Sequence, residues 1–374
     1  MICYADFHVH IGMALDRFVK ITASRRLTVT NAIKVAKEIK GVDILGIVDC
    51  GSKVVLNELL KLVEDGQLKE LAGGGLICQN GLLLLLGWEI EIDDVHYLCY
   101  LPTIDSLREL TKILWPRTKN IELSTQRFTI AVDELRGIVE NLGGIFFPAH
   151  AFTPHKGFYG KAVDSLYEKF SKPFLSIELG LSSSTEMVWG IKELKDTVFL
   201  SNSDAHSLEK IAREYNEIFV EELSFRGVVK ALEEGSIIGN YGLDPRLGKY
   251  YETACIDCGA VYLGENRCKC GGYFVKGVRP RLVELEGFIA TKDTKRPPYI
   301  KQIPLEFLPK IGPKTIQKLH RLGTELEVLN SSTFEEIQAV AGEKVAETIL
   351  QARDHRFSIS VGGAGYYGRV RSNY

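Results

Sequence analysis

The chain has 374 residues, 45% of them apolar and 25% charged, with a formal net charge of −2. That length exceeds what one core usually organises and predicts two or three domains. No basic segment followed by an apolar one opens the chain, and the longest apolar run, Leu82 to Leu86, falls far short of the ~20 residues that span a bilayer, which excludes a membrane-embedded class and predicts a soluble, cytoplasmic protein.

Short apolar runs ending in polar residues predict strands over 2–10, 43–49, 82–92, 95–101, 144–150, 174–180 and 197–204, with an eighth over 218–220. Helical spacing of apolar residues covers 30–40, 54–63, 107–114, 130–142, 187–194 and 225–232. Strand alternating with helix implies parallel strands in βα units. Because no Gly-rich phosphate loop comes after the first strand, the expected fold is α/β, a distorted parallel barrel of the (β/α)7 type rather than an open doubly wound sheet.

The first strand instead carries DFHVH, in which Asp6, His8 and His10 alternate with Phe7 and Val9 and are expected on one strand face. The pattern repeats at later strand ends with Asp49, Glu89, His96, His150, Glu178, Asp204 and His206. In a barrel those ends converge on one rim, where such enzymes keep their chemistry. Converging imidazoles and carboxylates suit Zn²⁺ or Mn²⁺, so the metal-site candidates are His8, His10, Asp49, Glu89, His96, His150, Glu178, Asp204 and His206. Clustered ions activate water and stabilise the attacking and leaving oxygens of a phosphoryl displacement, which points to phosphoester hydrolysis.

The motifs DFHVH, GWEIEI, PAH at 148–150 and SNSDAH, with the Asp49 strand end, resemble the polymerase-and-histidinol-phosphatase (PHP) metallohydrolase domain. Within it, KITASRRLT, LSTQR, FPAHAFTPHKGFYGK, IELGLSSS and SNSDAHSLEKIARE are similar to the endonuclease Q family, its bacterial branch above all, over nearly the whole chain. That resemblance implies a metal-dependent nick on the 5′ side of a deaminated base (uracil, hypoxanthine, xanthine) or an abasic site in duplex DNA, as a step of DNA repair. It implies His8, His10, Glu89, His150, Asp204 and His206 as ligands, with Asp204 as the catalytic carboxylate. Asp49, His96 and Glu178 serve as ligands or as supports of ligands. One departure stands out: related domains carry a His close behind Asp49, where this chain reads VDCGS, leaving Cys50 as a substitute thiolate or one metal weakly held. Asp16 is only loosely placed to match an acid that many PHP domains carry after the first His pair.

Cys3, Cys50, Cys78 and Cys99 are scattered, whereas Cys255, Cys258, Cys268 and Cys270 fall within sixteen residues. Their Cys-x2-Cys and Cys-x-Cys spacing, with Gly259, Gly271 and Gly272 at the turns, predicts a structural zinc knuckle in a reducing compartment. From Arg267 to Arg321 there are 13 Lys or Arg against 4 Asp or Glu, a basic block suited to a phosphate backbone. Inside it, Ile311, Gly312, Pro313, Lys314 and Thr315 resemble the turn of a helix-hairpin-helix, with Lys310 where the first glycine usually stands. AVAGEKVAETI, at 339–349, is a weaker echo. In the tail, Tyr366, Tyr367, Arg369 and Arg371 offer stacking faces and phosphate donors.

The expected division is 1–245 for the PHP barrel, 246–290 for the zinc element and 291–374 for a helical DNA-binding domain with a Gly/Tyr-rich tail. Gly312, Lys314, Thr315, Tyr366, Tyr367 and Arg369 are the candidate DNA contacts. Zn²⁺ is expected in the knuckle and the catalytic site, with Mg²⁺ or Mn²⁺ as activating alternatives. A deaminated base in a mispair is cheaper to extrude than a paired one, so recognition is expected to involve base flipping. Two other readings stay open on the residues alone. A PHP-type phosphatase acting on a small phosphomonoester would use the same cluster, and a nucleic-acid binder with a decayed barrel would explain the missing His. No short docking motif for a sliding clamp stands out.

Overall fold

A computed structural model describes residues 1–264, 267–286 and 296–371. The first strand, Ile2–Val9, lies between Ile44–Ile47, parallel to it, and Tyr215–Phe219, antiparallel. Leu83–Ile92 continues the sheet parallel to Ile44–Ile47. Its Leu83 to Leu86 run is buried on both faces, as an inner parallel strand requires. The outer face packs against Val29–Lys34, Lys53–Glu64, Ile104–Leu114 and Val132–Asn141, whose buried residues recur at helical spacing.

The expected parallel barrel is corrected in two respects. Val95–Leu101 runs antiparallel to both of its neighbours, Leu83–Ile92 and Ile145–Pro148. Asp93 and Asp94, with φ of 50° and 64°, make the two-residue turn that joins it to the preceding strand, a conformation Asp tolerates and hairpins demand. Among the described residues no ladder joins Ile145–Pro148 to the parallel pair Ser176–Glu178 and Val198–Leu200. The strands therefore form a mixed α/β arc around the site and not a closed barrel. The arc returns to the first strand through the Val9–Ala205 bridge, where His10 N donates to Ala205 O and Ala205 N to His8 O.

The helix expected over 187–194 is also broken, with one turn at Thr185–Val188 and a 3₁₀ turn at Lys192–Leu194 on either side of Gly190. The strand Tyr299–Gln302 pairs parallel with Ile237–Leu243 and so extends the main sheet from the far end of the chain. A separate core around Leu247, Leu305, Val328, Ile337 and Ile349 binds the helices Pro313–Leu319, Glu325–Asn330, Phe334–Ala341 and Glu343–Arg353. Lys40 Nζ, buried, ties this layer to the sheet domain through Glu325 Oε2 at 2.5 Å. No helix among the described residues is long and apolar enough to cross a membrane.

Candidate metal centre

The first strand and the residue just past its end deliver His8 and His10 fully buried, and the loop after Val198–Leu200 delivers Asp204 at a φ of 46°. The Nε2 atoms of His8 and His10 both lie 3.5 Å from Asp204 Oδ1 and 3.4 Å from each other. On the other side, Glu89 Oε1 lies 2.9 Å from His96 Nδ1 and 3.5 Å from His150 Nε2. These residues form two triads, His8–His10–Asp204 and Glu89–His96–His150, each with donor atoms within 4.8 Å of one another. Glu89 links them, since Oε1 is 3.6 Å from His8 Nε2 and Oε2 is 3.5 Å from His10 Nε2.

The remaining candidates sit elsewhere. Glu178 and Asp49 stand behind the first pair of rings, accepting from His8 Nδ1 at 2.9 Å and His10 Nδ1 at 3.1 Å. Each therefore holds an imidazole so that its Nε2 faces the centre, the supporting one of the two places expected for these acids. His206 belongs to neither triad; its ring packs 4.5 Å from that of His10 and its Nδ1 is 3.0 Å from the Asp204 carbonyl. Asp6 turns away from the cluster to accept the backbone N–H groups of Ser203, Ala212 and His8, so the expected shared face holds for the two histidines alone. Those backbone donors occupy both of its carboxylate oxygens. Cys50 belongs to neither triad; burial pushes its thiol pKa far up, and the thiol donates to Ile47 O at 3.1 Å. Asp16 lies exposed at a hairpin turn, away from the cavity.

The donor set suits a pair of divalent ions. His96 Nδ1 is buried with no well-aligned hydrogen bond although Glu89 Oε1 is only 2.9 Å away, an orphaned donor atom that an ion held by this triad would use. Burial works against charge on His8, but Glu178, Asp204 and Glu89 together raise its pKa to about 10. Burial also opposes ionisation of Asp204, yet the imidazoles of His8 and His206 hold its carboxyl well below the usual range. His206 goes the other way, pushed down to about 4 by burial.

Several residues that sequence reasoning missed complete the site. Lys20 and Thr125 bind Glu89, Thr153 faces His150, and Asn202 braces Glu178. A cavity of about 630 Å³ opens above the triads, and its far wall holds Lys210, Arg213, Lys249, Tyr250 and Tyr367. Arg213 Nη1 donates to Tyr367 Oη at 2.6 Å, and Lys249 Nζ lies 4.8 Å from the Tyr367 ring centre. The only sequence signal for Lys20 and Thr125 was their place inside KITASRRLT and LSTQR.

Beyond the cavity, the sulfurs of Cys255, Cys258, Cys268 and Cys270 converge within 4.8 Å of one another. A Cβ on Gly272 would lie 2.6 Å from Cys255 Sγ, so glycine is what lets the chain close on the sulfurs, a cradle that fits zinc. The tail folds as a hairpin, Ser358–Ser360 against Arg369–Arg371, and its loop puts Tyr367 on the cavity wall while Tyr366 Oη donates to Asp257 O of the knuckle. Gly312 caps the Pro313–Leu319 helix, and Lys310 takes the left-handed φ of 67° at the usual glycine position; Lys314 is exposed and Thr315 partly so. The basic block is in part spent on internal straps: Arg281 bonds the carbonyls of Tyr159 and Val163, and Arg296 that of Thr197.

No family model matches the chain. It is 44% identical to the uncharacterized protein YqxK of Bacillus subtilis over 384 residues, covering 98% of this chain and 99% of that one. It is 39% identical over 246 residues to the uncharacterized protein MJ0043 of Methanocaldococcus jannaschii, of which 31% is covered. Among solved structures, the lesion-specific endonuclease PfuEndoQ of Pyrococcus furiosus superposes with a TM-score of 0.86 at 32% identity, covering 99% of this chain and 95% of that chain. A structure of endonuclease Q with a 27-mer duplex carrying an abasic lesion at the active site gives 0.88 at 31% identity, covering 99% and 96%.

Proposed function

Because this chain belongs to the endonuclease Q family, a family of hydrolytic endonucleases acting on damaged DNA, we propose that it nicks duplex DNA on the 5′ side of uracil, hypoxanthine or xanthine, and at abasic sites. The observation that carries the reading is the pair of triads linked through Glu89 beneath a cavity walled by Lys210, Arg213 and Lys249. Such a cavity meets a phosphodiester with donors on one side and cations on the other.

In this reading His8, His10 and Asp204 hold one divalent ion and Glu89, His96 and His150 the other, with Asp49 and Glu178 aiming the imidazoles. Zn²⁺, Mg²⁺ or Mn²⁺ bound there supplies Lewis-acid stabilisation of phosphoryl oxygens and a lowered pKa for water. Asp204, kept ionised by its imidazole neighbours, takes the proton of the attacking water. His206, neutral at physiological pH, faces the substrate from the cavity side. Lys210, Arg213 and Lys249 bind phosphates that flank the lesion, and Tyr367 offers a ring for an extruded nucleotide to pack on.

The chain is taken to work in three parts: 1–245 cuts, the zinc element from 246 supports Tyr366, and the helices around Gly312, Lys314 and Thr315, with Arg369 of the tail, contact the duplex. The boundary expected at 290 lies outside the described residues.

Labelled duplexes with uracil, hypoxanthine, an abasic site or normal bases, incubated with Mg²⁺ or Mn²⁺, test the reading. Nicking of the damaged strand alone, 5′ of the lesion, is expected. Equal cutting of the normal duplex, or hydrolysis confined to a mononucleotide, overturns it.

A further inference from the structure

Lys20 enters the site from the loop after Arg17–Phe18, where its own N–H donates to Ile11 O at 3.0 Å and Val19 N to Gly12 O at 2.9 Å. The side chain is 14% exposed and lines the cavity. Its Nζ donates to Glu89 Oε2 at 3.1 Å and to Thr125 Oγ1 at 2.6 Å, while Thr125 donates to the same Oε2 at 2.6 Å. Glu89 is thereby divided. Oε1 faces His8, His96 and His150, and Oε2 faces Lys20, Thr125 and His10.

We propose that the Lys20 ammonium takes the place of a third cation in the centre, which confines divalent ions to the two positions that the triads mark. Glu89 Oε2 and Thr125 Oγ1 hold it at contact distance, and the charges of Asp49 and Asp204 act on it from further off, so a cation sits among oxygens of the kind that collect a metal ion. A fixed ammonium in that space repels a further divalent ion and leaves His206 and the far side of Asp204 open to the cavity. Two divalent ions with one ammonium exceed the four carboxylates Asp49, Glu89, Glu178 and Asp204 by a single positive charge, the amount one phosphodiester neutralises. Lys20 is in this sense a positioning residue, since it acts through Glu89 and through the metal count.

The proposal rests on the two-metal part of the reading above but not on the lesion chemistry, and its measurement involves no DNA. Elemental analysis after dialysis against excess Mn²⁺ or Zn²⁺ should give the full-length wild type two ions at the centre and one in the knuckle. Lys20→Ala and Lys20→Ser should each bind one ion more, and Lys20→Arg the wild-type number. A third ion at the wild-type centre overturns the proposal without any variant being needed. So does an unchanged or lowered count in folded Lys20→Ala or Lys20→Ser, which would leave Lys20 as a mere brace for Glu89. Absence of nicking with the expected counts would sink the nuclease reading and leave the cation assignment standing.

Discussion

Replacing Glu178 by glutamine separates a carboxylate that binds metal from one that aims a ligand. Both Glu178 oxygens meet only donors: Oε2 takes His8 Nδ1–H at 2.9 Å and the Asn202 side-chain amide at 3.0 Å, and Oε1 takes the His150 backbone N–H at 3.0 Å. Glutamine carries a single acceptor oxygen, so its amide nitrogen must oppose at least one of these donors. The less costly choice sets it against His150 N–H, because Oε2 serves two partners. A buried donor left without a partner costs about 1–3 kcal/mol. Loss of the charge behind a ligating imidazole lowers metal affinity about 10- to 100-fold, or about 1.4–2.7 kcal/mol. Glu178→Gln is therefore expected to unfold at lower denaturant and to need about 10 to 100 times more Mn²⁺ for half-saturation, yet to hold the wild-type number of ions when saturated. Denaturant unfolding, metal titration and elemental analysis measure the three quantities. Loss of a whole ion at saturation would make Glu178 a ligand and refute the supporting role assigned here; wild-type affinity and stability together would refute the hydrogen-bond reasoning.

Asp204→Asn should lower nicking by about 10²–10⁴-fold with its melting temperature little changed, as judged by single-turnover rates beside a thermal melt; persistent cutting removes Asp204 from proton transfer. In the metal-free protein His8 keeps its proton up to about pH 10, so metal uptake must expel it and apparent affinity must rise with pH toward that value. Calorimetry in buffers of different ionisation enthalpy reads the released proton, and a proton-neutral uptake contradicts the His8 assignment. Cys258→Ser combined with Cys268→Ser should cost one zinc equivalent and weaken duplex binding while hydrolysis of bis(p-nitrophenyl) phosphate survives; loss of both activities together would tie the knuckle to the catalytic centre itself. Tyr367→Phe removes only the 2.6 Å bond to Arg213 and should weaken binding of lesion duplex modestly, whereas Tyr367→Ala also removes the ring and should weaken it by about 1–3 kcal/mol. Unaltered anisotropy titrations in both would detach this wall from the DNA.

Much of the centre was legible because its residues come in spaced pairs at strand ends. His8 with His10, and Asp204 with His206, signal themselves, and Glu89 and His150 close apolar runs. The topology was less legible, since Asp93 and Asp94 carry no glycine to announce the turn that reverses the next strand. Ligands could not be told from their supports either: Asp49 and Glu178 look like any other strand-end acid, and only the Nδ1 side of each ring reveals their place. Lys20 lies in a loop of no period, and its partner Glu89 is 69 positions away, a separation that no local pattern crosses. The net charge of the basic block was readable from sequence, but not that Arg281 and Arg296 are used up on internal carbonyls.

The late strand Tyr299–Gln302 limits how this chain can be dissected. A fragment ending near 245 would keep every residue of both triads, yet Ile237–Leu243 would lose its neighbour and show a naked row of amides and carbonyls. Such a margin invites copies to zip together, so the excised catalytic half should precipitate or self-associate unless a lysine or proline is written into that strand first.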